Sequence, residues 1–366
     1  MARVLILANS DIGLYKFRKE LIQEFLNKGS EVYISLPEGK LVQPLIELGC
    51  IFIDTNIDRR GINLFHDLKL LIRYYKILKK VEPDSVISFT IKPNIYGGIV
   101  SRIRKVPYAI NITGLGTAFQ NNGFIKKIII LLYKISCKEA KVIFFENEEN
   151  KEVFIDYKIA SEVNAYKLNG AGVNLEEYQL CEYPEDNGEI RFLFIGRIMK
   201  EKGIDEIFQV AEFIREEYKN VFFDIVGPLE EDYKAKINNL QQRDIISYYG
   251  YQTNIQYFVK KAHCFLLPSY HEGMANTLLE NGSMGRPLIT SNIYGCREAV
   301  MDGETGYLVN LKDSTDLYQK IKMFLKLPYD KKKKMGLASR KFIEREFDKK
   351  KVVSKTISEL SKSLNV

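Results

Sequence analysis

What most limits the folds open to this chain is an alternation that runs through it twice. Short, unbroken apolar runs are separated by amphipathic stretches of helical spacing. In the first half the runs are RVLILA (residues 3–8), EVYISL (31–36), IFI (51–53), SVISF (85–89), PYAI (107–110) and KVIFF (141–145), with helical segments beginning near Leu14, Leu64, Asn94 and Gly123. Runs that are continuous rather than alternating suit strands covered on both faces, as in a parallel sheet. A polar, turn-rich stretch, CEYPEDNGE (181–189), interrupts the pattern. It restarts with RFLFI (191–195), VFFDIV (221–226), IISYY (245–249), CFLLP (264–268), PLIT (287–290) and GYLV (306–309). The chain reads as α/β, with two doubly wound parallel sheets in domains 1–180 and 181–346. A charged helical segment, roughly 347–366, closes it, and the lysine runs before it read as solvated faces.

With 366 residues, 46% of them hydrophobic, there is enough chain for two cores. The start, MARVLILANSDIGLYKF, turns polar after a six-residue apolar run, and no later run has the length to cross a bilayer. A cytoplasmic protein is expected. The five cysteines, Cys50, Cys137, Cys181, Cys264 and Cys296, are scattered, without the spacing of a zinc or redox motif, and read as reduced and mostly structural. A net charge of +7 is compatible with nucleic acid, membrane or phosphorylated substrates.

The distribution of that charge is more telling. The stretch NGFIKKIIILLYKISCKEAK (122–141) sets Lys126, Lys127, Lys134, Lys138 and Lys141 around a very apolar helix. Two readings stand: a core helix with its lysines in solvent, or a patch resting on an anionic membrane surface. Nucleic acid has only the net charge in its favour and is not expected as a partner. The G-x-G of GLGTAF (114–119) lacks a third glycine and is not in the first strand-to-helix turn, which sets a nicotinamide enzyme aside.

The chemistry concentrates in HEGMANTLLE (271–280), between the run CFLLP and a helix. In open α/β sheets ligands bind at the carboxyl ends of strands, and the first amides of a helix have no internal partner and suit phosphate. Gly273 and Ala275 are small enough for a phosphate to approach the backbone. Glu272 and Glu280, with seven residues between them, suit sugar hydroxyls on either side of a diphosphate, since a carboxylate accepts two hydrogen bonds from a diol. The plainer reading makes Glu272 a favourable charge at a helix N-terminus and Glu280 a solvated helical residue. GRIMKEKG (196–203) places Arg197 and Lys202 at the end of another strand, where both reach the same crevice. They would neutralise a leaving diphosphate without metal. The chain has no Asp-x-Asp pair to hold a divalent ion beside a nucleotide diphosphate.

GRIMKEKG and HEGMANTLLE, with the Asn169-Gly170 turn and Gly295-Cys296-Arg297-Glu298, resemble glycosyltransferase family 4, retaining enzymes of the GT-B fold. The segments SFTIKPNIYGGIVSRIRKVPYAINITGLGTAF and KVIFFENEEN are similar to a bacterial branch that builds capsule, O-antigen and related lipid-linked glycans. The resemblance implies two Rossmann-like domains facing across a cleft, the first for the acceptor and the second for the donor, with a C-terminal helix crossing back to the first. It implies a UDP-sugar donor, UDP-N-acetylgalactosamine as the best guess, and a lipid-linked saccharide acceptor on undecaprenyl diphosphate at the inner face of the cytoplasmic membrane. No cofactor or metal is implied. Arg197 and Lys202 would hold the diphosphate, Glu272 the hexose and Glu280 the ribose, while Gly273, Met274, Ala275 and Asn276 would offer backbone amides and Gly196, His271 and Thr277 would complete the donor site. Gly13, after the first strand, would let the donor phosphate approach; the other reading is a loop glycine needed for turn geometry. Thr113 stands where many relatives carry a histidine that contacts the transferred sugar, and it cannot act as a base. Of the three histidines, His263 reads as structural, His66 as exposed or capping, and only His271 belongs with the site. A UDP-sugar 2-epimerase of the same fold and a non-catalytic nucleotide-sugar-binding scaffold are the alternatives. No acid and base pair for chemistry at C2 is evident, and a scaffold would be expected to have lost one of Arg197, Lys202, Glu272 and Glu280.

Overall fold

In the computed structural model of the chain, residues 1–58, 64–116, 119 and 123–364 are described. Asn122, Thr117 and Ala118, which belong to segments discussed above, lie outside the described residues. The chain forms two compact units, Met1–Ala171 with Lys349–Val366, and Gly172–Asp348.

The first unit runs β1 (Arg3–Leu7), α1 (Asp11–Asn27), β2 (Glu31–Leu36), α2 (Val42–Glu47), β3 (Ile51–Asp54), α3 (Leu64–Val81), β4 (Ser85–Phe89), α4 (Gly98–Arg104), β5 (Tyr108–Ile112), α5 (Phe124–Cys137), β6 (Val142–Phe145), α6 (Glu148–Asp156) and β7 (Ala165–Lys167). A π-helical turn, Pro93–Gly97, precedes α4. The strands form one parallel seven-stranded sheet in the order β3-β2-β1-β4-β5-β6-β7. The continuous apolar runs explain this: β4, β5 and β6 are buried at every residue, because helices cover both faces. Apolar side chains of α3, α4, α5 and α6 pack on one face. Those of α1, α2 and the last helix of the chain pack on the other.

The second unit runs β8 (Ile190–Ile195), α7 (Ile204–Glu217), β9 (Val221–Val226), α8 (Lys234–Gln242), β10 (Ser247–Tyr248), α9 (Ile255–Lys261), β11 (Cys264–Leu267), α10 (Asn276–Ser283), β12 (Leu288–Ser291), β13 (Gly306–Val309), α11 (Ser314–Lys326) and α12 (Tyr329–Phe347). Its parallel six-stranded sheet has the order β10-β9-β8-β11-β12-β13, a doubly wound arrangement that reverses between β8 and β11. The last helix, α13 (Lys349–Ser363), returns to the first unit, where Val352, Ile357 and Leu360 join the α1 side of the core.

Three details differ from the sequence reading. The units divide at Ala171 rather than near residue 180, because Val173 enters the second core and the Tyr178 carbonyl accepts hydrogen bonds from Ser283 Oγ and Arg340. β7 is an additional strand, three residues long, held only along β6. The lysine runs are not wholly solvated. Lys332 is buried, its ammonium donating to the carbonyls of Leu325 and Leu327 at 3.1 and 2.8 Å, and Lys349 is buried with Glu20 at 3.3 Å. His263 is structural as expected: it is buried, and its Nδ1 accepts from the Arg191 amide at 3.1 Å. His66 is exposed and meets Asp58.

The segment forms α5, with one face in the core and the other in solvent. Ile129, Tyr133 and Cys137 are core, while Phe124, Leu131 and Ile135 are exposed. Among the described residues no helix is long and apolar enough to cross a membrane.

Candidate active site

The two loops that carry the sequence candidates leave the carboxyl ends of β8 and β11, the neighbouring strands at which the sheet order reverses. After β8 come Gly196, Arg197 and a 3₁₀ turn over Lys200–Lys202; after β11, residues 268–275 lead into α10. Gly203 joins the two loops. Its φ is +71°, and a Cβ there would lie 2.1 Å from the Pro268 carbonyl oxygen, so only glycine allows the approach. Tyr270 strengthens the joint by donating its amide to Glu201 O at 2.8 Å and its hydroxyl to Glu206 at 2.7 Å.

Across this joint Lys202 Nζ donates to Glu272 Oε1 at 2.5 Å, and Ser269 Oγ donates to the same oxygen at 2.8 Å. Both charged side chains are largely buried. A carboxylate beside a phosphate site is tolerable when a lysine neutralises it, and the fold supplies that lysine. Arg197 points elsewhere: it is half exposed, with Nη1 3.9 Å from Glu230 Oε1, a distance at which an exposed pair contributes little. The two cations read together in the sequence therefore have different anchors, one in the joint and one at its edge.

Gly295 fixes the loop from the other side. At φ +82° a Cβ would fall 2.6 Å from Gly273 O and 2.7 Å from Glu272 O. Its carbonyl accepts the Ala275 amide at 2.8 Å, and its own amide donates to Glu298 Oε2 at 2.7 Å. This corrects the expectation that the whole run from Gly273 to Asn276 offers amides. Ala275's is committed to Gly295, and the side chains of Met274 and Ala275 are in the core. The amides of Asn276 and Thr277, the first two residues of α10, have no carbonyl one turn back to donate to, and no side chain caps that helix. Asn276 Oδ1 is buried without a hydrogen-bond partner. His271 is exposed at the rim.

Glu280, one turn into α10, is half-buried, and its charge acts on the Tyr178 phenol. Burial, then the Glu280 charge, pushes the Tyr178 phenol well above its usual range. That environment departs from the plain reading of Glu280 as a solvated helical residue. Tyr178, Ser269 and Glu230 were not singled out in the sequence, and no motif marks them; each is an ordinary residue brought in by folding. Among the described residues no three His, Cys, Asp or Glu side chains gather as a metal-binding group.

Comparison with known proteins decides the family. Residues 3–147 match the model described as glycosyl transferase 4-like, and residues 179–342 that of glycosyl transferases group 1. A UDP-Gal:alpha-D-GlcNAc-diphosphoundecaprenol alpha-1,3-galactosyltransferase of Escherichia coli is 31% identical over 274 residues, 69% of each chain. The chain belongs to the group 1 glycosyl transferases. It is also 26% identical over 352 residues, 92% of each chain, to the N,N'-diacetylbacillosaminyl-diphospho-undecaprenol alpha-1,3-N-acetylgalactosaminyltransferase of Campylobacter jejuni. A glycosyltransferase structure from Rickettsia africae superimposes with a TM-score of 0.81 at 19% identity, covering 98% of each chain. The fold is GT-B.

In this glycosyl transferase Gly13 and Thr113 lie at the carboxyl end of the first sheet, after β1 and β5. Gly13 is not a loop glycine. It is the third residue of α1, its amide donates to the N-cap Ser10 Oγ at 3.2 Å, and a Cβ there would meet nothing nearer than 3.6 Å. Turn geometry therefore does not require it. Thr113 is half-buried. Beside it, Glu146 follows β6, donates its amide to Ile112 O at 3.4 Å and pairs with buried Arg18 at 2.5 Å. Burial pushes the Glu146 carboxyl up, and the Arg18 charge opposes that shift. This pair, which the sequence reading did not find, steadies the strand end that carries Thr113.

Proposed function

We propose that this glycosyltransferase moves N-acetylgalactosamine or a related hexose from a UDP-sugar, with retention, to a saccharide on undecaprenyl diphosphate. It would act at the inner face of the cytoplasmic membrane and without a metal. The observation that carries the donor half is the joint at the reversal of the second sheet. Lys202 and Glu272 are held there beside the uncapped N-terminus of α10. The relatives named above, with polyprenyl diphosphate-linked acceptors, support the acceptor half.

The diphosphate would take the amides of Asn276 and Thr277 and draw Lys202 from Glu272, with Arg197 closing from the edge. Glu272, released from its lysine, would accept hydrogen bonds from hexose hydroxyls. Glu280 would accept from the ribose. The acceptor hydroxyl would attack the anomeric carbon from the face that the diphosphate leaves; the C–O bond to the diphosphate breaks, the new glycosidic bond forms, and the departing oxygen takes the hydroxyl proton. No side-chain base is needed, in keeping with Thr113. Catalysis would rest on positioning and on charge stabilisation of the leaving group. The exposed apolar and lysine side chains of α5 support contact with an anionic leaflet.

The test is thermal shift of the full chain against nucleotides and UDP-sugars, with and without EDTA, repeated on Arg197→Ala. Stabilisation by UDP and one UDP-sugar, unchanged by EDTA and weakened in the variant, is expected. A flat response to every nucleotide would remove the donor assignment. Transfer to a synthetic polyprenyl diphosphate-linked sugar, with the product's anomeric configuration read by NMR, tests acceptor and retention.

A further inference from the structure

The second unit carries a groove away from the donor loops. It lies between α7 and α11, holds about 370 Å³, and is walled by Phe213, Glu216 and Glu217 on one side and Thr315 and Tyr318 on the other. Gln209, Phe213 and Glu216 are spaced four and three residues apart, so they share one face of α7. That helix starts at Ile204, just after Lys202, and its rise sets Phe213 roughly 15 Å along the axis from the donor joint. Phe213 is 49% exposed and meets Tyr318 edge to face, with ring centroids 6.3 Å apart.

The charge of the groove is the reverse of the chain's. The chain carries a net +7, yet the residues lining the groove include two glutamates and neither lysine nor arginine. Glu217 is engaged: Lys322 Nζ donates to it at 2.9 Å, and the Tyr318 hydroxyl donates to it as well. The same ammonium stands 5.0 Å from the Tyr318 ring centroid. The rim thus already holds one cation of its own chain with a carboxylate and an aromatic face. Glu216 and Phe213 offer the same two groups beside it. Glu216 is exposed and makes no ion pair among the described residues, and its neighbours Arg215 and Lys219 donate to backbone carbonyls.

We propose that this groove docks a basic segment of a partner protein, with an arginine side chain as its anchor. A guanidinium lying on the Phe213 ring and forking to the Glu216 carboxylate engages both groups at once, which a compact ammonium does less well. Gln209 and Gln319, also in the lining, each have an amide that gives and accepts hydrogen bonds and so suits the segment's main chain. Charge selects this occupant. A nucleic acid or an anionic leaflet would meet two carboxylates, and an apolar helix would bury Glu216 without a counter-charge. None of these residues belongs to the donor site, so the groove is independent of the reaction proposed above.

The experiment is fluorescence anisotropy, with the full chain titrated into a fluorescein-labelled peptide of alternating glycine and arginine and into its lysine and glutamate versions. The arginine peptide is expected to bind, the lysine version several-fold more weakly, and the glutamate version not at all. Glu216→Lys and Phe213→Ser should each weaken the arginine peptide about tenfold at unchanged melting temperature. Glu304→Lys, an equal charge change at an exposed residue outside the groove, should leave its binding as it was. If Phe213→Ser melts early, Phe213→Leu, which keeps apolar bulk and removes the aromatic face, takes its place. No binding by the wild type, or a loss as large in Glu304→Lys as in Glu216→Lys, overturns the proposal. So does sedimentation that shows a dimer dissolved by Glu216→Lys, which would give the groove to a second copy.

Discussion

Lys202 and Glu272, 70 residues apart in the chain, are joined Nζ to Oε1 at 2.5 Å. The charges of these two loops are thus already paired, so under the proposed function the diphosphate would have to compete with Glu272 for its lysine. Glu272→Gln removes that competition and one negative charge beside the phosphate. UDP is expected to bind about fivefold tighter, from about 1 kcal/mol of repulsion removed. Transfer should fall about 100-fold for want of the sugar contact. Lys202→Ala should weaken UDP and lower stability by about 1–3 kcal/mol, because Glu272 loses a charged donor. Calorimetric UDP titration and single-turnover transfer on both variants check this; weaker UDP binding in Glu272→Gln would contradict it.

Two glycines should respond in opposite ways. Gly203→Ala forces a Cβ into the Pro268 carbonyl at a positive φ and should cost about 2–4 kcal/mol, with loss of donor binding. Gly13→Ala has room and a helical backbone, so it should leave the melting temperature unchanged or raise it, by up to about 1 kcal/mol. If the glycine serves ligand approach, transfer by Gly13→Ala nevertheless falls. Denaturation and activity, measured side by side, separate the two effects.

Glu280→Gln keeps the shape of the side chain and removes the carboxylate that the proposed function sets on the ribose. KM for the UDP-sugar should rise about tenfold, the equivalent of about 1.4 kcal/mol, with kcat little changed. A fall in kcat at constant KM would place Glu280 away from the ribose.

His263 sets an acid limit. Burial, then the charges of Arg286, Lys332 and Arg191, lowers its pKa from about 6.5 to about 4. Above pH 6.5 it is neutral in both folded and unfolded chains and has no effect on their balance. As pH falls from there to about 4 the unfolded chain takes a proton that the folded one refuses, so stability is lost across that window, by up to about 3 kcal/mol. Urea unfolding of His263→Gln at several pH values should show a shallower loss over the same window than the wild type.

The sequence by itself determined the apolar strands and their division between two parallel sheets, because an apolar run buried on both faces has a signature that needs no partner to be seen. β2, β4, β9 and β13 begin and end where their runs do. It also placed the chemistry in loops after strands, since glycines, charges and a helix start are local features. β7 escaped because its three residues carry no apolar run and pair only along β6. What only the tertiary structure decided is who meets whom. That Lys202 neutralises Glu272, that Arg197 turns to Glu230, that Glu280 comes within reach of Tyr178 and that Ala275 donates to Gly295 depends on which strands lie side by side. So does the difference between Lys332, buried on two carbonyls, and the solvated lysines on either side of it. Periodicity records how far a residue faces inward; it carries no record of the distance between two charges, which is fixed only when the sheet is assembled.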